Sequence, residues 1–205
     1  MVGNELNVLV LKNTTTPISA VLKDYGESVI EFSNSIDIKF LVDNMIEFIV
    51  SHNYRHIIKP DVIDFMKDRI INLHISLLPW NRGADPNLWS FLEDTPKGVT
   101  IHFIDYGIDT GDIIAQKEVI FENENETLRT TYLKLQDEIV SLFKETWPLI
   151  KNCTYNRTKQ PPGGSFHKTN DKAKYEYLLT KGWDTPIKQI IGVAKNEMQN
   201  KGYIR

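Results

Sequence analysis

Asn72 and His74 stand two residues apart in the run Ile70-Ile71-Asn72-Leu73-His74. Residues i and i+2 of an extended strand project from the same face, so an amide and an imidazole would leave the sheet side by side. That pair suits a reaction at a carbonyl. Amide and imidazolium both donate to an oxygen that gains charge, and imidazole handles protons near neutral pH. An aspartate from the later run Gly107-Ile108-Asp109-Thr110-Gly111-Asp112 would orient the imidazole if the fold brings the two together. This run and Ser76 to Gly83 are dense in Gly, Pro and polar residues beside strand ends, where α/β sheets place their ligands. Taken alone, Asn-x-His is weak evidence, because a lone strand histidine is more often a hydrogen-bonded structural residue. His52 and His56 have a spacing that would suit a metal on a helix, but they fall at a strand end and loop without a third ligand, so no metal is expected. No P-loop or GxGxxG run is present, which leaves ATP and NAD without support.

The elements that must position these residues alternate in type. Asn7 to Leu11, Ser28 to Phe32, Ile46 to Ser51 and Ile70 to His74 read as strands, with a helical pattern over Ile36 to Met45 and a short helix opened by Pro60 through Met66. Such alternation predicts βαβ units and a mostly parallel sheet, a Rossmann-like α/β fold. Further on, a helix after Asp85-Pro86 holds Leu88, Trp89, Phe91 and Leu92, and Val99 to Ile104 alternates as a half-buried strand. Ile113 to Phe121 is its expected neighbour across the Asp109 loop, and the strongest helical pattern runs from Glu126 or Thr127 to about Pro148. Beyond it, Pro161-Pro162-Gly163-Gly164 marks a loop. Lys172 to Leu179 and Pro186 to Met198 read as short helices, and Trp183 as core.

The chain has 205 residues, 41% apolar and 25% charged, with mean hydropathy of -0.31. These values fit a globular protein with a main domain over 1–150 and a small C-terminal appendage over 151–205, and exclude disorder, collagen and coiled coil. No apolar run approaches the roughly 20 residues that span a bilayer, and residues 1–11 lack the pattern of a signal peptide. Cys153 is the single cysteine, so neither an intrachain disulfide nor a thiolate cluster is available and a cytoplasmic setting is expected. The net charge of -3 divides unevenly: -10 over residues 1–150 and +7 over 151–205. The basic tail could meet phosphates or simply offset the acidic body.

The segments Asn72-Leu73-His74-Ile75-Ser76-Leu77-Leu78-Pro79 and Gly98-Val99-Thr100, with Asp109-Thr110-Gly111-Asp112 beyond, resemble the formyltransferases that use 10-formyltetrahydrofolate as donor. The resemblance covers about residues 45–150. It implies a catalytic trio of Asn72, His74 and Asp109. It also implies a folate cosubstrate held largely by backbone groups at His56, Ile57, Asp105 and Gly107.

Three branches of this family differ in their demands. The tRNA branch carries an RNA-binding domain of a size that the 55 residues after position 150 are not expected to supply, so no nucleic acid partner is expected. The purine branch grips a ribose phosphate with a Gly-rich loop after the first strand, where this chain has Lys12-Asn13-Thr14-Thr15-Thr16. The sugar N-formyltransferase branch resembles the chain at Tyr54 to Ile58, at Pro79 to Asn87 and in the tail at Gly164 to His167. This branch implies formylation of a dTDP-linked amino sugar, foremost dTDP-4-amino-4,6-dideoxyglucose, for surface polysaccharide, with glycinamide ribonucleotide as the alternative substrate. Arg55 and Arg82 are then candidates for the diphosphate, Trp80 for the sugar pocket and Phe166 for stacking on the base. The branch also implies a homodimer, through the Cys153 to His167 region, and no membrane partner. The first 45 residues depart from it, their βα units being short.

Overall fold

The computed structural model describes residues 5–121 and 125–200. Its first half contains β1 (Asn7–Leu11), α1 (Ile18–Asp24), β2 (Ser28–Phe32), α2 (Ile38–Asp43), β3 (Phe48–His52), α3 (Pro60–Met66), β4 (Ile70–His74), β5 (Arg82–Gly83) and α4 (Pro86–Leu92). There follow β6 (Gly98–Phe103), β7 (Ile113–Glu118), α5 (Leu128–Lys151), β8 (Phe166–His167) and α6 (Val193–Asn200), with 3-10 turns at Thr169–Leu178, Gly182–Asp184 and Ile187–Gln189.

Six strands form one sheet in the order β2-β1-β3-β4-β6-β7. β1 pairs parallel with β2 and β3, β3 pairs parallel with β4, and β6 lies antiparallel to β4. This is the mostly parallel α/β sheet expected from the sequence. Val8 to Leu11 and Ile49-Val50 are buried on both faces, the reason their strands read as continuous apolar runs rather than alternating ones.

Four differences from the expected elements have physical causes. α1 lies where no helix was predicted: it is seven residues long, and burying Ile18, Val21 and Leu22 against its surroundings stabilises two turns too short to show periodicity. β6 is buried at every residue instead of half-buried, because β4 and β7 flank it as an inner strand. α5 continues past Pro148 to Lys151. Proline has no N–H for the carbonyl four residues back, and that Lys144 oxygen accepts the Tyr25 hydroxyl at 2.9 Å instead. In the tail, Lys172 to Leu178 falls within a 3-10 turn that ends before Leu179, while Pro186 to Met198 divides into a 3-10 turn and α6, with Gly192 between them at φ +73°. Trp183 is not core: it is 44% exposed and tilted against the Tyr132 ring, since the Gly182–Asp184 turn buries none of its residues.

Two compact units emerge, and they do not divide at residue 150. The first comprises Met1–His74, Thr100–Ala115 and Ile139–Gln160; the second comprises Ile75–Val99, Gln116–Glu138 and Pro161–Arg205. The chain passes between them along continuous elements such as α5, which sequence composition does not reveal.

The first unit is centred on Leu9, Leu11, Leu41, Ile49, Val62, Met66 and Ile70. Glu27 has no exposed side-chain surface there, and its carboxylate accepts from the Leu6 N–H (2.9 Å), Trp147 Nε1 (3.0 Å) and Lys151 Nζ (2.7 Å). The second unit packs Leu88, Trp89, Phe91 and Leu92 of α4 with Leu128, Tyr175, Ile187, Ile190 and Ala194. Tail cations pair with acidic groups inside each unit, Lys172 with Asp85 (3.0 Å) and Arg157 with Asp112 (2.7 Å) and Asp68 (2.6 Å), so part of the basic tail offsets the acidic body.

Candidate active site

β4 ends at His74, and its register with β6 sets Asn72 opposite His102 and His74 opposite Thr100. Four polar side chains thereby share one face of the sheet at the carboxyl end of a parallel strand, the end that α/β folds use for ligands. The loop between β6 and β7 then brings Asp109 back to them. Asn72 Nδ2 donates to Asp109 Oδ1 at 3.2 Å, and His74 Nδ1 lies 3.7 Å from Asp109 Oδ2, a charge-pair distance too long for a direct hydrogen bond. Asn72, His74 and Asp109, singled out from the sequence, are therefore brought together.

His102 joins them, and no sequence pattern singled it out. Its ring stands edge-on to His74 with centroids 6.2 Å apart, and its Nε2 lies 3.4 Å from Asp109 Oδ1 and 3.3 Å from Asn72 Nδ2. Nδ1 sits 2.8 Å from the Phe103 carbonyl, which can only accept, so Nδ1 carries a hydrogen. In the neutral ring Nε2 is then an acceptor for Asn72, and both hydrogens of the Asn72 amide are committed, one to His102 and one to Asp109. The one available signal was polarity at alternate positions, Thr100 and His102, in an otherwise apolar strand.

The Asp109 loop is closed by its own side chains. Asp105 Oδ1 accepts from Thr110 Oγ1 (2.6 Å) and from the Gly107 N–H (3.1 Å). A Cβ on Gly111 would fall 1.8 Å from the Phe103 carbonyl, so only glycine allows this approach to β6. Asp109 itself is left-handed, at φ +54°. Asp105 thus commits one carboxylate oxygen, Oδ1, to closing the loop. His56 and Ile57 sit in the exposed loop after β3, as does Arg55.

His52 does not join a metal cluster: its Nδ1 is 2.7 Å from the Thr16 hydroxyl, and no group of three or more His, Cys, Asp or Glu is arranged for a metal among the described residues. Nor is any described helix long and apolar enough to cross a membrane. Cys153 is exposed and forms no disulfide.

The second unit unites two more of the singled-out residues. Arg82 and Phe166 are partners in the short parallel pairing of β5 with β8, and a Cβ on Gly83 would fall 2.3 Å from the His167 carbonyl. Arg82 Nη2 donates to the Gly163 carbonyl at 3.2 Å, while Phe166 keeps 42% of its surface exposed and Trp80 36%. His167 stacks face to face on Trp89 at 3.8 Å and lies 3.2 Å from Glu93, which anchors β8. A separate cavity of about 250 Å³ in this unit, beside Leu88, Lys172 and Trp183, contains none of the residues singled out as candidates.

An amide, two imidazoles and a carboxylate meet at the end of an α/β sheet, a set suited to chemistry at a carbonyl. The chain matches the formyl transferase family over residues 12–146 and belongs to it. It is similar to the formyltransferase PseJ of Anoxybacillus kamchatkensis, solved with UDP-4,6-dideoxy-4-formamido-L-AltNAc and tetrahydrofolate. That similarity amounts to 52% identity and a TM-score of 0.87, covering 92% of this chain and 99% of that one. It also resembles an N-formyltransferase of Helicobacter canadensis, solved with folinic acid and dTDP-3-aminofucose (26% identity, TM-score 0.65, 82% of this chain and 72% of that one). Among curated relatives, a methionyl-tRNA formyltransferase of Prochlorococcus marinus is 36% identical over 62% of this chain and 41% of its own length. Another from Finegoldia magna is 40% identical over 38% of this chain and 26% of its own. The chain spans from about a quarter to just over half the length of the curated relatives it matches.

Proposed function

We propose that this protein transfers the formyl group of 10-formyltetrahydrofolate to the amine of a nucleotide-linked 4-amino-4,6-dideoxy sugar. The observation that carries the reading is the placement of Asp109 against both Asn72 (3.2 Å) and His74 (3.7 Å) at a strand's carboxyl end. The folate fits on an observation of the surface. The two loops that the family resemblance assigns to it expose Ile57 (82%), Tyr106 (70%) and Ile108 (49%), apolar area that a flat aromatic pterin would cover. The folate supplies the formyl carbon, and backbone groups near His56, Ile57, Asp105 and Gly107 are its proposed contacts.

The chain's own residues do the rest. His74 and Asn72 donate to the formyl oxygen as the amine attacks, Asn72 exchanging its long 3.3 Å contact with His102 for this charge-assisted one. Asp109 orients His74 and takes the proton that the amine gives up, directly or through water. In the second unit, Arg82 is the proposed donor to the diphosphate, Trp80 the wall of the sugar pocket and Phe166 the stacking platform for the base; Arg55, on the exposed loop after β3 of the first unit, is the other arginine that the family resemblance offers for phosphate.

The family resemblance implies dTDP-4-amino-4,6-dideoxyglucose, and the sugar carried by the PseJ complex shares its 4,6-dideoxy pattern and a nitrogen at position 4 but is linked to UDP. Both nucleotides therefore head the test. Purified protein is incubated with 10-formyltetrahydrofolate and a panel of UDP- and dTDP-linked amino sugars, with glycinamide ribonucleotide alongside, and products are weighed by mass spectrometry. A gain of one formyl group on a 4-amino-4,6-dideoxy sugar is the expected result. Formylation of glycinamide ribonucleotide alone would assign the protein to the purine reaction instead. A cytoplasmic enzyme, homodimeric and serving surface polysaccharide, is the setting this reading suggests.

A further inference from the structure

Gln160 lies outside every segment tied to catalysis, at the end of a stretch that clings to the Asp109 loop. Tyr155 tilts against the Phe103 ring, the Arg157 guanidinium sits 4.5 Å from the same ring and reaches Asp112, and Thr158 exchanges two backbone hydrogen bonds with Ile113 (2.7 and 2.9 Å). At the end of this stretch the Gln160 side chain donates from Nε2 to the Asp109 carbonyl at 2.7 Å and to the Gly111 carbonyl at 2.9 Å. Both acceptors are carbonyls, which fixes the amide orientation: a flip would set oxygen against oxygen.

We infer that Gln160 is a positioning residue for Asp109. Three observations converge. Asp109 holds a left-handed backbone, φ +54°, a conformation that aspartate enters more readily than most non-glycine residues but keeps within a turn that its surroundings impose. Gln160 supplies that imposition by gripping the carbonyls on either side of Thr110, so it fixes the peptide planes that aim the Asp109 carboxylate at Asn72, His74 and His102. Finally, Gln160 Oε1 is buried and finds no hydrogen-bond partner among the described residues. A side chain kept only for packing would not carry a buried acceptor at a cost to stability. An apolar residue of the same length would fill the space without that cost, but it would lose both donors.

This inference rests on the formyl-transfer reading for its kinetic consequences, and the experiment separates the two. Gln160→Met keeps length and volume without a donor; Gln160→Glu keeps the shape but sets a carboxylate against the two carbonyls. In both variants kcat is expected to fall roughly ten- to hundredfold, the loss of two ordinary hydrogen bonds converted to rate. KM for folate and for the amino sugar should stay within about threefold. Deuterium uptake should accelerate in the peptide covering residues 104–112 and remain unchanged in β1, β3 and α5. A folded Gln160→Met with near-native kcat and unaltered uptake over 104–112 overturns the inference. So does uptake that rises across the whole first unit while kcat and KM deteriorate together, since that marks a structural residue only. Should the unaltered protein transfer no formyl group to any acceptor, the catalytic reading fails, and the uptake measurement still decides whether Gln160 holds the loop.

Discussion

Asp109→Asn isolates the charge of the carboxylate from its shape. Asparagine is isosteric and is among the residues that best tolerate a left-handed backbone, so the turn at φ +54° survives. It also presents an oxygen to the Asn72 amide, whose 3.2 Å bond persists. What disappears is the negative charge 3.7 Å from His74 Nδ1 and 3.4 Å from His102 Nε2. At an effective dielectric constant of about 20, a unit charge at the His74 distance is worth about 4 kcal/mol to an imidazolium. At about 1.4 kcal/mol per tenfold in rate, this corresponds to roughly a thousandfold loss in kcat. Removal of a single donor to a developing oxyanion spans a similar range, about a hundred- to thousandfold. The assay is formyl transfer to the amino sugar that the panel identifies, followed by mass spectrometry, with a thermal melt to establish folding. A correctly folded Asp109→Asn that retains more than a tenth of native kcat would refute the assignment of Asp109 as the charge partner of the imidazoles.

Further outcomes follow from other parts of the molecule. Glu27→Ala strands the Lys151 ammonium, the buried Trp147 indole N–H and the half-buried Leu6 N–H, a loss of roughly 3–5 kcal/mol for breaking a buried pair, and the melting temperature should drop by about 6–20 °C for a chain of this size. Burial, with Glu197 beside it, pushes the Tyr175 phenol up to about 12. Because the folded protein favours the neutral phenol, its contribution is complete below about pH 10 and is lost as pH climbs toward 12. Tyr175→Phe should therefore flatten the alkaline fall in stability over that window, followed by urea titration at several pH values. Phe166→Ala and Arg82→Ala should raise KM for the nucleotide sugar roughly tenfold or more and leave KM for folate unchanged, as initial rates would show; an effect on folate alone would remove both from the substrate site.

The sequence by itself determined the sheet strands and the chemistry of their ends. The short β-branched and aliphatic stretches Val8 to Leu11 and Ile70-Ile71, of strand length and bounded by polar residues, read as buried strands, and Pro60 and Pro86 each open a helix because a residue without an N–H costs nothing there. Strand periodicity alone set Asn72 and His74 on one face. Tertiary structure decided what strand spacing cannot encode. His102 enters the site only because β6 pairs antiparallel with β4 in the register that opposes it to Asn72, and a one-residue slip would turn it to the other face. α5 runs through Pro148 because the Tyr25 hydroxyl, more than a hundred residues away in sequence, takes the orphaned carbonyl. Asp109 faces the imidazoles because Gln160, also distant in sequence, grips the backbone around it. Each of these is a pairing between segments remote along the chain, and local composition carries no record of which remote partner a backbone group will find.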